Sequence, residues 1–268
     1  DKMTTLQRLN LKEVESLING VYAIPGNAFY NKTTLSKCFL PEKLERIEGD
    51  AFCGTVLSGS LILPEGLKYV SGFRETKITN VHFPSTLEEI GGAAFRGCKS
   101  LMTEISLPQS LKVIGYEAFC GAAISGNLVL PDELESIGDV AFGSCSNLKG
   151  SLTIPNRVKV ISISAFGGCG FTGTLTLPAG LVEIQSGAFS STKFKGELNI
   201  PSTVTTIGDS AFANTLFNGI LVLPSELISL GTEVFKGCWR LSGVVEIPSN
   251  IVAIPSNLFS GCTGLEGV

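Results

Sequence analysis

Leu152-Thr153-Ile154-Pro155, followed by Val158, Ile161, Ala165-Phe166 and Cys169, is the stretch whose reading decides the fold, because its spacing returns along the chain. The prolines at 41, 64, 84, 108, 131, 155, 178, 201, 224 and 248 are 20 to 24 residues apart. Eleven phenylalanines, from Phe29 through Phe142 to Phe259, keep the same rhythm. Two residue types on one period of about 23 indicate a solenoid with one coil per repeat, since a propeller blade needs ~40 residues. Alignment on the proline gives inward apolar columns one and three residues before it, such as Ile154 and Leu152. Between them runs a variable column: Phe39, Ile62, His82, Ser106, Val129, Thr153, Thr176, Asn199, Val222 and Glu246. That alternation predicts a short strand with one face inward. The proline ends it, having no N–H for the ladder. Apolar columns three and six residues after the proline (Val158 and Ile161 here) predict a turn into a second extended piece. Gly-Asp-x-Ala-Phe or a relative, as in Gly138–Phe142, follows and is expected to make one helical or 3₁₀ turn. The expected fold class is a mainly β repeat solenoid with parallel strands. A coil of this size cannot bury its apolar face alone, so the array is stable only when stacked.

The motif L-x-I-P-x-x-L-x-x-I-x-x-x-A-F-x-x-C in these residues resembles the BspA-type leucine-rich repeats, over about Val21 to Val268. The resemblance implies a leucine-rich-repeat solenoid of about eleven coils. It further implies an exported, adhesin-like surface protein of the kind found in anaerobic bacteria and some protists. A shared fold does not carry function by itself.

Composition narrows the function. The chain has 268 residues, a formal net charge of −4 and no cluster of more than two adjacent Lys or Arg. A nucleic-acid binder needs a basic footprint. No apolar run approaches the ~20 residues of a membrane span. With one His, and with no G-x-S-x-G, H-E-x-x-H or P-loop, the expectation is no enzyme, no metal and no cofactor. Gly168 to Gly173 matches G-x-G-x-x-G, but an Ala-Phe turn precedes it and a strand follows, the wrong context for a dinucleotide. Of eight cysteines, Cys98, Cys145, Cys169, Cys238 and Cys262 lie three residues after the repeat Phe. Neighbouring coils hold Ala122, Thr192 or Thr215 there, so these are expected to be buried free thiols acting as small apolar side chains, with a disulfide between Cys145 and Cys169, one rung apart, as the alternative.

Departures from the repeat mark candidate sites. Only 20 residues separate Pro64 from Pro84, with Gly72-Phe73 in place of Ala-Phe and a charged Arg74-Glu75-Thr76-Lys77 next. Loss of residues there should pinch the solenoid. Residues 1–20 lack the Pro/Phe framework and are expected to cap the first coil. Asn10 with Glu13 makes a capping-box signature, predicting a short helix over 11–18, while Leu9-Asn10-Leu11 can also be read as a degenerate strand. The solenoid is expected over 21–268 and to be cut at its C-terminal end, because arrays need a capping repeat. The outward strand columns are the surface free to vary. The candidate binding face is Phe39, Ile62 and His82, with Arg74 and Lys77 in the loop before. The expected function is a monomeric, non-catalytic extracellular or cell-surface module that binds a host or microbial protein. A glycan-binding accessory using the Thr153–Asn199 ladder, or a passive spacer, are the alternatives.

Overall fold

The computed structural model describes the backbone of residues 8–10, 17–18 and 21–268, and the side chains of 21–268. It is a parallel-stranded solenoid. The first strands are β1 (Arg8–Asn10), β2 (Leu17–Ile18), β3 (Val21–Ile24), β4 (Lys37–Phe39), β5 (Arg46–Ile47), β6 (Ser58–Ile62), β7 (Tyr69–Val70), β8 (Lys77–His82) and β9 (Glu89–Ile90). Two kinds of ladder run along the stack. The longer one uses the short piece after each proline. It joins β3, β5, β7 and β9 to Val113–Ile114 and Ser136–Ile137, all in parallel. It resumes over Val160–Ile161, Glu183–Ile184, Thr206–Ile207 and Ser229–Leu230. The pause falls where Ser162 Oγ donates to Ile137 O (2.6 Å). In neighbouring coils a backbone N–H takes that carbonyl, as Gly138 N–H takes Ile114 O. The pre-proline strands form separate small sheets such as β1–β4 and β6–β8.

No helix occurs among the described residues, so the helical or 3₁₀ turn expected before each Phe is corrected to linked β-turns. Asp50 (φ 57°) follows Gly49, and Ala51 N–H bonds Glu48 O (3.3 Å). Cys53 N–H then bonds Asp50 O, and Gly54 again has positive φ. A left-handed residue at each second turn breaks a right-handed run. The same place two before the Phe is left-handed at Asn27, Ala93, Glu117, Val140, Ser164, Ser210, Glu233 and Asn257. Val140 (φ 57°) is the costliest of these, since a β-branched residue is a genuine outlier there. Between its turns each coil donates to the next. Asn27, Phe29 and Asn31 N–H reach Gly49, Ala51 and Cys53 O at 3.1, 2.7 and 2.8 Å.

This geometry aligns the rings. The eleven phenylalanines stack continuously, from Phe29–Phe52 at 5.1 Å through Phe142–Phe166 at 5.5 Å to Phe235–Phe259 at 5.6 Å. Nine of them, Phe52 to Phe235, are fully buried. A second short stack of Phe171, Phe194 and Phe217 meets the first edge-on. The short coil does not interrupt this spine: Phe73 lies 5.1 Å from Phe52 and 5.8 Å from Phe95. Gly72 (φ +90°) is the left-handed residue here, one before the Phe and not two, and an added Cβ would stand 2.7 Å from Ala51 N and Glu48 O. Two residues are missing from the turn before Phe73, which follows Val70 by three residues where Phe52 follows Ile47 by five, and β6 and β8, with a register shift between Gly59 and Ser60, are the longest pre-proline strands.

All eight cysteines are free thiols. In the recurring column Cys98, Cys145, Cys169, Cys238 and Cys262 each donate Sγ–H to the Phe carbonyl of the coil before, at 2.9 to 3.2 Å. Thr55, Thr76 and Thr192, in the same column, donate to the Phe carbonyl of their own coil at 2.8 Å. The position therefore takes a small side chain with one donor, which Cys and Thr share. Burial pushes the Cys145 thiol up to about 12 and the Cys98 thiol to about 11.

At the N-terminus, β1 pairs in parallel with β4 (Leu9 with Cys38), as the degenerate-strand reading of Leu9-Asn10 expects. The helix expected over 11–18 lies mostly outside the described residues. Its last two residues, Leu17 and Ile18, instead pair antiparallel with Tyr22 and Val21.

Candidate functional site

Alternation along each pre-proline strand puts Phe39, Ile62 and His82 on the surface. Phe39 is 40% and Ile62 70% exposed, and His82 is also exposed. All ten members of this column are exposed, from Phe39 to Glu246, while their inward neighbours such as Leu61, Leu128 and Leu152 are buried. Ile62 sits opposite His82 in the β6–β8 pairing, and Lys77 opposite Ser58. Asn80 Nδ2 and His82 Nε2 lie 3.0 Å apart. Lys77 therefore opens a strand and does not sit in the loop before it.

Arg74 is placed differently. Its Nε lies 3.5 Å from Asp50 Oδ1 and donates to Cys53 Sγ at 3.3 Å. It is committed to the turn of the coil before, and its charge is answered there. The Cys53 thiol, raised by burial, is partly offset by this guanidinium. Of the five residues expected from the sequence, four share the strand face and Arg74 leaves it.

Beside this face is a cleft of about 280 Å³. Lys37, Cys38 and Phe39 of β4 form one wall and Ser58, Gly59, Ser60 and Leu61 of β6 the other, with Leu57 and Ile78 also lining it. It exists because β4 pairs back with β1 while β6 pairs forward with β8. Lys37 and Ser60 are exposed two residues before Phe39 and Ile62 on the same strands. The cleft itself depends on how two strand pairs separate, for which the residues carry no local signal. Farther along, Thr153 sits opposite Thr176 and both are exposed, as is Asn199, which borders a depression of about 320 Å³ with Leu177 and Ile200.

A second outward column lies four residues after each proline. It reads Glu45, Lys68, Glu88, Lys112, Glu135, Lys159, then Val182, Thr205, Ile228 and Val252. Backbone bonds stack it directly: Lys68 N–H to Glu45 O, Lys112 N–H to Glu88 O, Thr205 N–H to Val182 O, Ile228 N–H to Thr205 O. In its charged half, Lys68 pairs with Glu45 at 3.8 Å and Lys112 with Glu88 at 3.1 Å, each between coils. Arg157, from an adjacent column, bridges Glu133 and Glu135 at 2.8 and 3.3 Å. Its apolar half is open, with Ile228 65% and Val252 98% exposed. Aligning the fourth residue after each proline would have found it.

Among the described residues, no group of three or more His, Cys, Asp or Glu is placed to hold a metal ion. The described residues form no helix long and apolar enough to cross a membrane.

The model of the BspA type leucine rich repeat region matches in six copies, over residues 4–72, 22–149, 69–195 and 150–266. No curated protein matches the sequence. Among solved structures, a leucine-rich repeat protein from Bacteroides ovatus superposes with a TM-score of 0.70 at 25% identity, over 96% of this chain and 62% of that one. The chain thus spans less than two thirds of that protein's length. A leucine rich cell surface protein from Faecalibacterium prausnitzii superposes with a TM-score of 0.50 at 21% identity, over 97% of this chain and 86% of that one. At that identity the likeness speaks for the fold.

Proposed function

Because the chain belongs to the BspA-type leucine-rich repeat family, we propose that it is a non-catalytic, exported module that binds an extracellular or cell-surface protein through its strand face. The observation that carries this reading is the exposed strand column, which changes from coil to coil while the columns beside it stay buried. A solenoid holds such a column at one residue per ~4.8 Å and leaves its chemistry free. We place the contact at the N-terminal end, where Phe39 and Ile62 add exposed apolar area beside the basic Lys77 and the polar His82. Exposed apolar groups that cluster, unlike scattered ones, mark interaction surfaces. The description of one structural relative as a cell surface protein supports an exported location. The molecule acts as a monomer.

The second reading is glycan binding along Thr153, Thr176 and Asn199, favoured by the depression beside Asn199. A panel of extracellular-matrix proteins and a glycan array separate the two. Binding to a protein that is lost in Phe39→Ser/Ile62→Ser and kept in Thr153→Ala/Thr176→Ala/Asn199→Ala supports the first. The reverse pattern with a glycan supports the second. Binding in neither assay leaves the passive spacer.

A further inference from the structure

We propose that the cleft between β4 and β6 seats one large apolar side chain from an acidic, extended segment of the protein partner. This rests on the protein-binding reading above and names the chemistry of what is bound. The volume, about 280 Å³, falls just below the range of small-molecule and cofactor sites, ~300–1,000 Å³. It suits a single side chain. Leu57, Leu61 and Ile78 supply apolar surface inside it, and Phe39 continues that surface outward.

Charge selects the rest of the ligand. The whole chain is acidic, at −4, yet none of the residues lining the cleft is acidic, and Lys37 is one of them. Lys77 stands opposite Ser58, on the strand next to the other wall. Both lysines are exposed, and neither is in an ion pair among the described residues. The lysines elsewhere that hold carboxylates, such as Lys68 and Lys112, are already answered. A local positive rim on a negative molecule attracts acidic segments and repels basic ones. The space over Gly59, which lines one wall, is open to an approaching backbone: no atom lies within 4 Å of where its Cβ would stand.

The test uses the full chain and three fluorescein-labelled nonapeptides. One has a central Phe flanked by Asp and Glu, one replaces the Phe by Ala, and one replaces the acids by Lys. Anisotropy should show the acidic Phe peptide binding at least tenfold tighter than either control. Lys37→Glu/Lys77→Glu should weaken it at least tenfold, and Ser60→Trp, which fills the cleft from an exposed position, should abolish it. Unchanged circular dichroism confirms that each variant folds. Equal binding of the three peptides, no binding at millimolar concentration, or binding that survives both variants overturns the proposal. If the peptides fail while a matrix protein is still lost on Phe39→Ser/Ile62→Ser, the cleft assignment falls and the protein-binding function stands. If that protein also binds the double variant normally, both fall.

Discussion

Glu45 through Lys159 and Val182 through Val252 occupy one outward column of one solenoid, yet the first six residues alternate in charge and the last four are apolar or Thr. Beneath them the frame continues, although the later half adds the short Phe171, Phe194 and Phe217 stack and the post-proline ladder pauses between Ile137 and Val160. Leu111 and Leu227, three residues after their prolines, are both fully buried, and the Phe spine runs through both halves at 5.1 to 5.8 Å. The backbone bond from column to column is the same beneath Lys112 as beneath Ile228. The frame therefore does not specify its outward chemistry. Stacked inward columns and left-handed turns hold it, and the surface is free to differ by region.

The largest effects should ignore the boundary between the regions. Phe119→Ala and Phe212→Ala remove fully buried rings from the middle of the stack in each half. Each should cost ~3–5 kcal/mol by leaving a cavity, read by chemical denaturation. A cost confined to one half would break the claim of a common frame.

Alkali should come next. The thiols of Cys98 and Cys262, in the two regions, are both raised to about 11, and that of Cys145 to about 12, by burial. The unfolded chain ionises its thiols near pH 9 and the folded one resists. Their contribution is thus complete below pH 9 and is lost as pH rises through 11 to 12. Melting midpoints should hold to pH 9 and fall above it, and iodoacetamide should label these thiols only after denaturation. Rapid labelling of native protein at pH 8 would show the column open.

Much of this was legible in the residues. Proline spacing gave the coil, the Phe column gave the spine, and alternation put Phe39, Ile62 and His82 outward. Three things were not. The left-handed place before each Phe is filled by Asn, Ala, Glu, Val or Ser as readily as by Gly, so no residue type announced it, and the turn was read as helical. Arg74 looked like part of a basic patch, but its partners Asp50 and Cys53 lie in another coil. The cleft arises from the choice of strand partners, which no single strand encodes. Val140 sharpens the first point. Val140→Asn should stabilise by ~0.5–1 kcal/mol, since Asn tolerates the left-handed region, and an unchanged melt would mean the strain is already relieved.

The smallest effects should distinguish the two regions. Lys112→Glu sets three carboxylates in a row with Glu88 and Glu135 and should cost up to ~1 kcal/mol at low salt, fading at high salt. Ile228→Lys, in the apolar half, should change stability by less than ~0.5 kcal/mol at either salt. Equal salt dependence would erase the contrast.

The direct test of the central claim is to extend the charged half through the apolar one. A single chain would carry Val182→Glu, Thr205→Lys, Ile228→Glu and Val252→Lys, and its thermal unfolding would be followed by circular dichroism. If surface and frame are independent, the transition stays cooperative and its midpoint moves by no more than ~4 °C, about 1 kcal/mol in a chain of this size. A drop of ~10 °C or more, or loss of the cooperative transition, would show that the outward column helps to hold the fold.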